Sequence, residues 1–270
     1  MTPRVGNLSA VGNDIESAAR ASRRVTAMDA PILALDKISK RFGAIVIAEG
    51  VDLALADGEA LGIIGPNGAG KTTLFGMVSG TVAPDSGRVL YDGRDITRAA
   101  PAQRCRMGIG RSFQIPLPFS GMSVFENLVV AAAFGGRRRE HDVYDRCVDI
   151  LDRCGLAEKA NRRAGSLTLI DRKRLELARA LATDPRVLLL DEVAGGLTER
   201  ECQVLVQLIG DIRRGGVSII WIEHVVHALL ASIDRLLVLH NGRFIAEGDP
   251  HTVIRSPEVA EIYMGMESDV

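Results

Sequence analysis

From Pro31 onward the chain alternates between two hydrophobic rhythms. The stretches ILALDKIS (32–39), AIVIAEGVDLALADGE (44–59) and ALGIIG (60–65) read as strands set apart by turn residues. A glycine-rich loop follows the third, and the pattern then predicts a helix over Lys71–Ser79, a PDSG turn at 84–87 and the strand RVLYDG (88–93). Past Pro101 the spacing becomes helical, over 123–133 and 142–154, with the polar linker GGRRRE (135–140) between them. From Val187 strands and helices alternate again. VLLLDE (187–192) is followed by a helix from about Thr198 to Arg213, then VSIIWIEH (217–224), a further helix, RLLVLHNGRFIAEG (235–248) and a short helical end. Alternation of this kind implies an α/β fold with a mostly parallel sheet, and the central block reads as a helical insertion into it.

The organisation expected is a single domain over 31–270. Its core is built from 31–112 and 183–270, and 113–182 form the helical part. Residues 1–30 mix Ser, Asn, Gly, Ala and Arg without sustained apolar periodicity and read as a disordered tail; Met28 offers an alternative start.

Composition narrows the function. At 270 residues the chain can bury a full core, and 47% hydrophobic content with only 4% aromatic makes that core aliphatic. A formal net charge of −1 supplies no basic field to recruit nucleic acid or an acidic membrane, so no nucleic-acid partner is expected. Cys105, Cys147, Cys154 and Cys202 form no CxxC pair and read as reduced thiols. No apolar run approaches the ~18 residues of a membrane span, and the N-terminus lacks the apolar stretch of a secretory signal. The chain therefore reads as soluble, with any membrane association made through a partner.

Two motifs carry the chemistry. GPNGAGKT, from Gly65 through Pro66, Asn67, Gly68, Ala69, Gly70 and Lys71 to Thr72, fits G-x-x-x-x-G-K-[ST] between an apolar strand and a helix. Glycines let the backbone wrap an anion, the helix start adds its dipole, Lys71 is placed to reach the β- and γ-phosphates, and the Thr72 hydroxyl to ligate magnesium. LLLDE ends a buried strand in two carboxylates. Asp191 suits a magnesium ion, and Glu192 suits an attacking water. No NKxD-type guanine-reading motif is present, which favours ATP over GTP.

With these motifs the chain resembles the ATP-binding-cassette ATPases over about 32–264. Walker A is GPNGAGKTT (ending at Thr73), Walker B is VLLLDE, Gln114 in RSFQ stands at the Q-loop, His224 in WIEH at the switch histidine, AGGLT (194–198) at the D-loop, and the 166–181 run at the signature. The resemblance implies a P-loop core with an antiparallel β-subdomain and an inserted helical subdomain. It implies that Phe42 stacks on adenine, that Gln114 contacts magnesium or the lytic water, and that His224 grips the γ-phosphate or orients Glu192. The segments GIGRSFQIPLPFSGMSVFENLVVAAAF (108–134) and GRFIAEGDPHTVIRSPEVAEIYMGM (242–266) resemble branched-chain amino-acid importer ATPases; urea and short-amide importers share the type. The partners implied are a second cassette (a different one favoured over an identical copy), permeases docking near Gln114–Val124 on the cytoplasmic membrane face, and indirectly a solute-binding protein. The apolar residues Ile115, Leu117, Phe119 and Met122 fit that docking or the subdomain core equally. An exporter or lipid-extraction ATPase stays open. A non-transport cassette on ribosomes or DNA fits less well, because the chain has one cassette and no heptad run.

The signature departs from the family's L-S-x-G-Q. Here it reads Leu167, Thr168, Leu169, Ile170, Asp171. Thr168 keeps a hydroxyl for phosphate, but Ile170 puts a β-branched side chain where glycine permits close approach. Asp171 brings a like charge, costing roughly 3 kcal/mol at about 5 Å and an effective dielectric of about 20. The alternative is that Asp171 caps the helix and is offset by Arg172, Lys173 and Arg174. Val193 replaces a customary proline, and Thr198 stands where many members have Asp. The expectation is an asymmetric pair, in which the site completed by this chain's own signature is weak.

Overall fold

Six strands form the central sheet of the computed structural model, which describes residues 30–136 and 138–267. In chain order the strands are β1 (Leu33–Phe42), β2 (Ile45–Leu55), β3 (Ala60–Ile64), β4 (Ser86–Tyr91), β5 (Arg94–Asp95), β6 (Ile109–Arg111), β7 (Val187–Asp191), β8 (Ser218–Ile222), β9 (Arg235–His240) and β10 (Arg243–Gly248). The central sheet runs β10-β9-β3-β8-β7-β6. Every pairing in it is parallel except the β9–β10 hairpin. Residues of β3, β7 and β8 are buried throughout, as continuous apolar runs covered on both faces must be. A second, antiparallel sheet runs β2-β1-β4-β5.

The helices are α1 (Lys71–Ser79), α2 (Pro101–Met107), α3 (Val124–Val130), α4 (Tyr144–Arg153), α5 (Leu169–Ala182), α6 (Glu199–Arg214), α7 (Val226–Leu230), α8 (Pro250–Val253) and α9 (Pro257–Glu267). The helix expected over 123–133 ends as α-helix at Val130 and continues through one π-type turn, Ala131–Gly135. Three small elements escaped the hydrophobic pattern: the two-residue strand β5, α2 and the three-residue edge strand β6, whose GIGR sequence has too few apolar positions to show a period. These elements all belong to the compact unit Pro31–Val270. The tail expected over 1–30, the Met28 question and Arg137 of the arginine run lie outside the described residues, apart from Ala30.

Two apolar clusters form the core. One lies between the central sheet and α3–α6, around Leu128, Leu175, Leu188 and Trp221; the other joins the antiparallel sheet to α1 and the sheet's opposite face, around Leu33, Ile63, Phe75 and Leu189. Alternate residues of β7 thus point to opposite clusters, and the strand's end emerges between them. Buried Arg104 crosses beneath α1, donating to the carbonyls of Met77 and Val78 at 2.6 and 2.8 Å, so the end of α1 is tied to α2. The four cysteines are free thiols. Burial pushes Cys147 and Cys154 up to about 11 and about 12, which leaves both inert at neutral pH.

Candidate active site

The phosphate loop leaves β3 at Ile64 and enters α1 at Lys71, as its sequence requires. A Cβ on Gly65 would lie 2.1 Å from the carbonyl oxygen of Leu239, and one on Gly70 would lie 2.7 Å from that of Ile47. Gly70 also holds φ +98°, which L side chains rarely adopt. The loop is therefore pressed between β9 and β2 by backbone packing. No side chain caps α1, so its first N–H groups are left for an anion. Lys71 is buried and donates to the carbonyls of Gly65 and Pro66 at 2.7 and 2.9 Å. Burial lowers its pKa, and the charges of Glu192 and Asp191 oppose that. Asn67, Gly68 and Thr72 are exposed, with Thr73 half-buried behind them.

At the end of β7 the two carboxylates have separate surroundings. Asp191 is buried, and its Oδ2 accepts from Arg111 at 2.9 Å, a partner the motif reading did not name. Its other oxygen, Oδ1, is buried without a hydrogen-bond partner. Burial raises the Asp191 pKa, while Arg111 works against that. A buried carboxylate oxygen left open suits a cation or a cation-bound water. Among the described residues no group of three His, Cys, Asp or Glu could hold a metal by itself. The donor set therefore fits magnesium shared with phosphate oxygens rather than a protein cage.

Glu192 lies half-exposed beyond it. Its Oε1 is 2.9 Å from His224 Nε2, at the end of β8, and its Oε2 accepts from the Gln114 side-chain amide. Two sequence-expected residues, from two further segments, thus converge on the Glu192 carboxylate. Glu192 has φ +47°, the left-handed region that costs a side-chain-bearing residue roughly 1–2 kcal/mol. The strain is held by its own N–H donating to Ile222 at 2.9 Å.

Two buried charges behind Glu192 were also missed. Lys173 of α5 donates to the Glu192 carbonyl at 3.3 Å. Burial lowers its pKa, opposed by the charges of Glu223 and Glu192. Glu223 accepts from the N–H groups of Ala194 at 2.6 Å and His224 at 3.0 Å, joining the turn after β7 to the turn after β8. The only sequence signal for Glu223 was a charge ending an apolar run, and Lys173, between Arg172 and Arg174, gave none. Thr198 proves to be the N-cap of α6, accepting from Glu201 N at 3.4 Å while its hydroxyl donates to Glu201 Oε2 at 2.8 Å. Asp and Thr are both capping residues, so that departure is conservative. Val193 is buried in the core.

Phe42 ends β1 with 51% of its surface exposed, and Lys40 Nζ lies 5.2 Å from its ring centre. It sits on the same hairpin as Ile47, which meets Gly70. Ile115, Leu117 and Phe119 are exposed and Met122 half-buried, so the first three are not subdomain core.

The signature helix α5 requires a correction. Its N-cap is Thr168, and Asp171 is the third helical residue, buried rather than presented outward. The Asp171 carboxylate accepts from Thr168 Oγ1 at 2.8 Å and Lys159 Nζ at 2.6 Å, with Arg174 3.7 Å away. Of the three cations expected to offset it, only Arg174 does so. Arg172 instead donates to the carbonyls of Leu167 and Gly165 at 3.0 and 2.9 Å, and Lys173 turns to Glu192. Burial pushes the Asp171 carboxyl up, but Lys159, Thr168 and Arg174 outweigh it and hold it below the usual aspartate value. The like-charge cost expected toward phosphate therefore does not arise from an unpaired carboxylate. Leu169 is exposed and Ile170 half-buried at the helix start.

A phosphate loop on one strand, carboxylates on the strand two places away and a histidine on the strand between them is the plan of the P-loop ATPases. The family model described as ABC transporter matches residues 48–195, and the chain belongs to that family. It is 36% identical over 253 residues to the high-affinity branched-chain amino acid transport ATP-binding protein LivG of Escherichia coli strain K12, covering 88% of this chain and 99% of the relative. It is 34% identical to BraF of Pseudomonas aeruginosa, with the same coverage. Among solved structures, a nucleotide-free ATP-binding cassette from an ABC transporter superposes with a TM-score of 0.79 at 32% identity, covering 86% of this chain and 98% of that one. A structure of the ADP conformation of an ATP-binding cassette of an ABC transporter gives 0.81 at 33%, over 87% and 98%. The chain is thus an ATPase of the ABC family. Cassettes of this family pair and work with membrane permeases. No helix among the described residues is long and apolar enough to cross a membrane.

Proposed function

We propose that this chain is the ATP-hydrolysing subunit of an importer for branched-chain amino acids, bound to permeases at the cytoplasmic face of the membrane. The observation that carries the catalytic reading is the convergence of His224 and Gln114 on the two carboxylate oxygens of Glu192. The substrate rests on likeness to LivG and BraF over nearly their full length.

In this reading Gly65–Thr73 cradle the phosphates, Lys71 moves its donors from the loop carbonyls to the β- and γ-phosphates, and Phe42 stacks on adenine. Thr72, Asp191 and Gln114 would hold magnesium, which when bound supplies positive charge along the phosphates. Glu192 accepts the proton of the attacking water, with His224 and Gln114 fixing the direction of its carboxylate. The exposed loop makes half a site, and a second cassette completes it through its signature; Thr168 serves the partner's nucleotide in the same way. That partner is a different cassette rather than an identical copy. The helical part, 113–182, carries the exposed residues Ile115, Leu117 and Phe119 to the permease, and a solute-binding protein acts through the permeases.

The test is Glu192→Gln in the reconstituted transporter, with uptake of labelled leucine as readout. The expected result is ATP binding retained and hydrolysis reduced by about 10²- to 10⁴-fold, the usual worth of a general base. Hydrolysis within about threefold of the parent would remove Glu192 from that role. Uptake of urea or a short amide in place of leucine would overturn the substrate.

A further inference from the structure

Arg111 joins three parts of the site that the sequence motifs treat separately. It ends the edge strand β6, where it pairs in register with Leu189 of β7. Its guanidinium donates to Asp191 Oδ2 at 2.9 Å through one terminal nitrogen and to Ser79 Oγ at 3.1 Å through the other. Its carbon lies 5.1 Å from the ring centre of Phe113 and 5.8 Å from that of Phe75. Ser79 and Phe75 belong to α1, which starts at the phosphate loop. Phe113 is half-exposed and immediately precedes Gln114. The Arg111 side chain is 11% exposed and that of Asp191 2%, so water hardly competes for the pair.

We propose that Arg111 is the positioning residue for metal binding: by occupying Asp191 Oδ2 it commits Oδ1, alone, to the cation. The inference rests on the reading of Asp191 as a magnesium ligand. Two features of the geometry carry it. The two oxygens of one buried carboxylate are in opposite states, one charge-paired and one without any partner. An aspartate free to rotate could offer either oxygen or both, whereas one fixed by a planar guanidinium presents a single oxygen in a fixed direction. The stack on Phe113 adds a consequence. The Q-loop and the carboxylate share one guanidinium, so a shift of Phe113 alters how firmly Asp191 is held. Outer partners of ligating carboxylates commonly work this way, and their loss costs metal affinity without removing a ligand.

The experiment measures binding of a fluorescent, non-hydrolysable ATP analogue to the full chain while magnesium is titrated, and again in EDTA. For Arg111→Met the expected result is a rise of about 10-fold or more in the magnesium concentration giving half-maximal binding, within the range known for outer-shell losses, with binding in EDTA unchanged. Arg111→Lys keeps a charge but not the fork, and should give a smaller rise. Ser79→Ala should give none. Phe113→Leu leaves the ion pair's atoms in place and should raise the requirement by a few-fold; it also serves if Arg111→Met fails to fold. Asp191→Asn separates the two readings. If Asp191→Asn leaves the magnesium requirement unchanged, the ligand assignment itself is wrong. If Asp191→Asn raises it while Arg111→Met, Arg111→Lys and Phe113→Leu do not, Arg111 is only a packing residue and the proposal is overturned.

Discussion

Replacing Lys159 by Met tests whether the charge of Asp171 is spent inside its own helix cap. Lys159 Nζ lies 2.6 Å from Asp171 Oδ2, with the aspartate side chain 4% and the lysine 31% exposed. Breaking a fully buried pair costs about 3–5 kcal/mol, because one charge is left uncompensated. Here the cost is smaller, for three reasons. Lys159 is a third exposed, so water already screens part of the attraction. Thr168 still donates at 2.8 Å, and Arg174 stands 3.7 Å away. What is lost outright is one charge-assisted hydrogen bond, worth about 1.5–3 kcal/mol. A loss of about 2 kcal/mol is therefore expected, read in urea as a lower midpoint with an unchanged slope. Asp171→Asn keeps an acceptor but gives up the charge favoured in a helix's first turn, and should cost about 1 kcal/mol. The double variant should lose less than the sum, with a coupling of about 1 kcal/mol.

The same pair fixes a pH dependence. Asp171 is held below its ordinary value, near 3.9 in an unfolded chain. A depressed carboxyl adds stability above that unfolded value and loses it as pH falls through the folded one, so the Asp171 contribution should fade below about pH 4. Asp171→Asn should flatten that part of the stability curve. If Lys159→Met costs under about 0.5 kcal/mol, or if Asp171→Asn stabilises the protein, the carboxylate is not paired as described and repulsion toward phosphate returns as the better account.

Phe42→Ala should weaken ATP binding by about 10-fold, at the low end of what base stacking on an aromatic supplies; with half its surface exposed, its loss should barely move the urea midpoint. Gly65→Ala must displace the Leu239 carbonyl, which a new Cβ would meet at 2.1 Å, and should cost at least about 2 kcal/mol of stability and abolish nucleotide binding. Thermal unfolding with and without ATP measures both effects. Ile170→Gly should tighten ATP-driven association with the partner cassette, measured by light scattering, even though glycine in a helix costs up to about 1 kcal/mol in stability. Unchanged association would show that Ile170 does not obstruct the signature.

Legibility in the sequence followed the length of the signal. The runs that became β3, β7 and β8 are apolar throughout and buried throughout, and α1 begins and ends where its pattern places it. The residues on Glu192 were legible because each sits in a motif of fixed spacing. Arg111 was not. Its strand has three residues, and its function depends on pairing with β7, a contact 80 positions away in sequence. Glu223 escaped for a related reason: a charge ending an apolar run announces burial without saying which partner neutralises it. Lys173 lies in the charged run Asp171–Arg174, which marks no single residue as buried. The strain at Glu192 is a backbone property that a glutamate gives no hint of. Asp171 shows the opposite error. Its place in a motif suggested that it faced phosphate, but a nearer solution existed in Lys159, twelve residues earlier on a different segment.

That correction changes what an asymmetric pair of sites would rest on. Two departures, a charge and a branched side chain, both pointed to a weak signature. The charge is now accounted for by three groups of the chain itself, and a carboxylate engaged in this way also anchors the start of α5. The remaining departure is steric and local to Ile170. Leu169 beside it is exposed, and it lies 3.4 Å from the Cβ position of Gly196, so the signature turn packs against the turn that follows β7. Lys173, about one helical turn further on, holds the Glu192 carbonyl. The start of α5 therefore supports the Glu192 backbone whether or not it completes a partner's site. A signature can lose its approach to phosphate and still be retained for that support. Asymmetry, if the association measurement bears it out, then follows from one side chain and not from the decay of a whole motif.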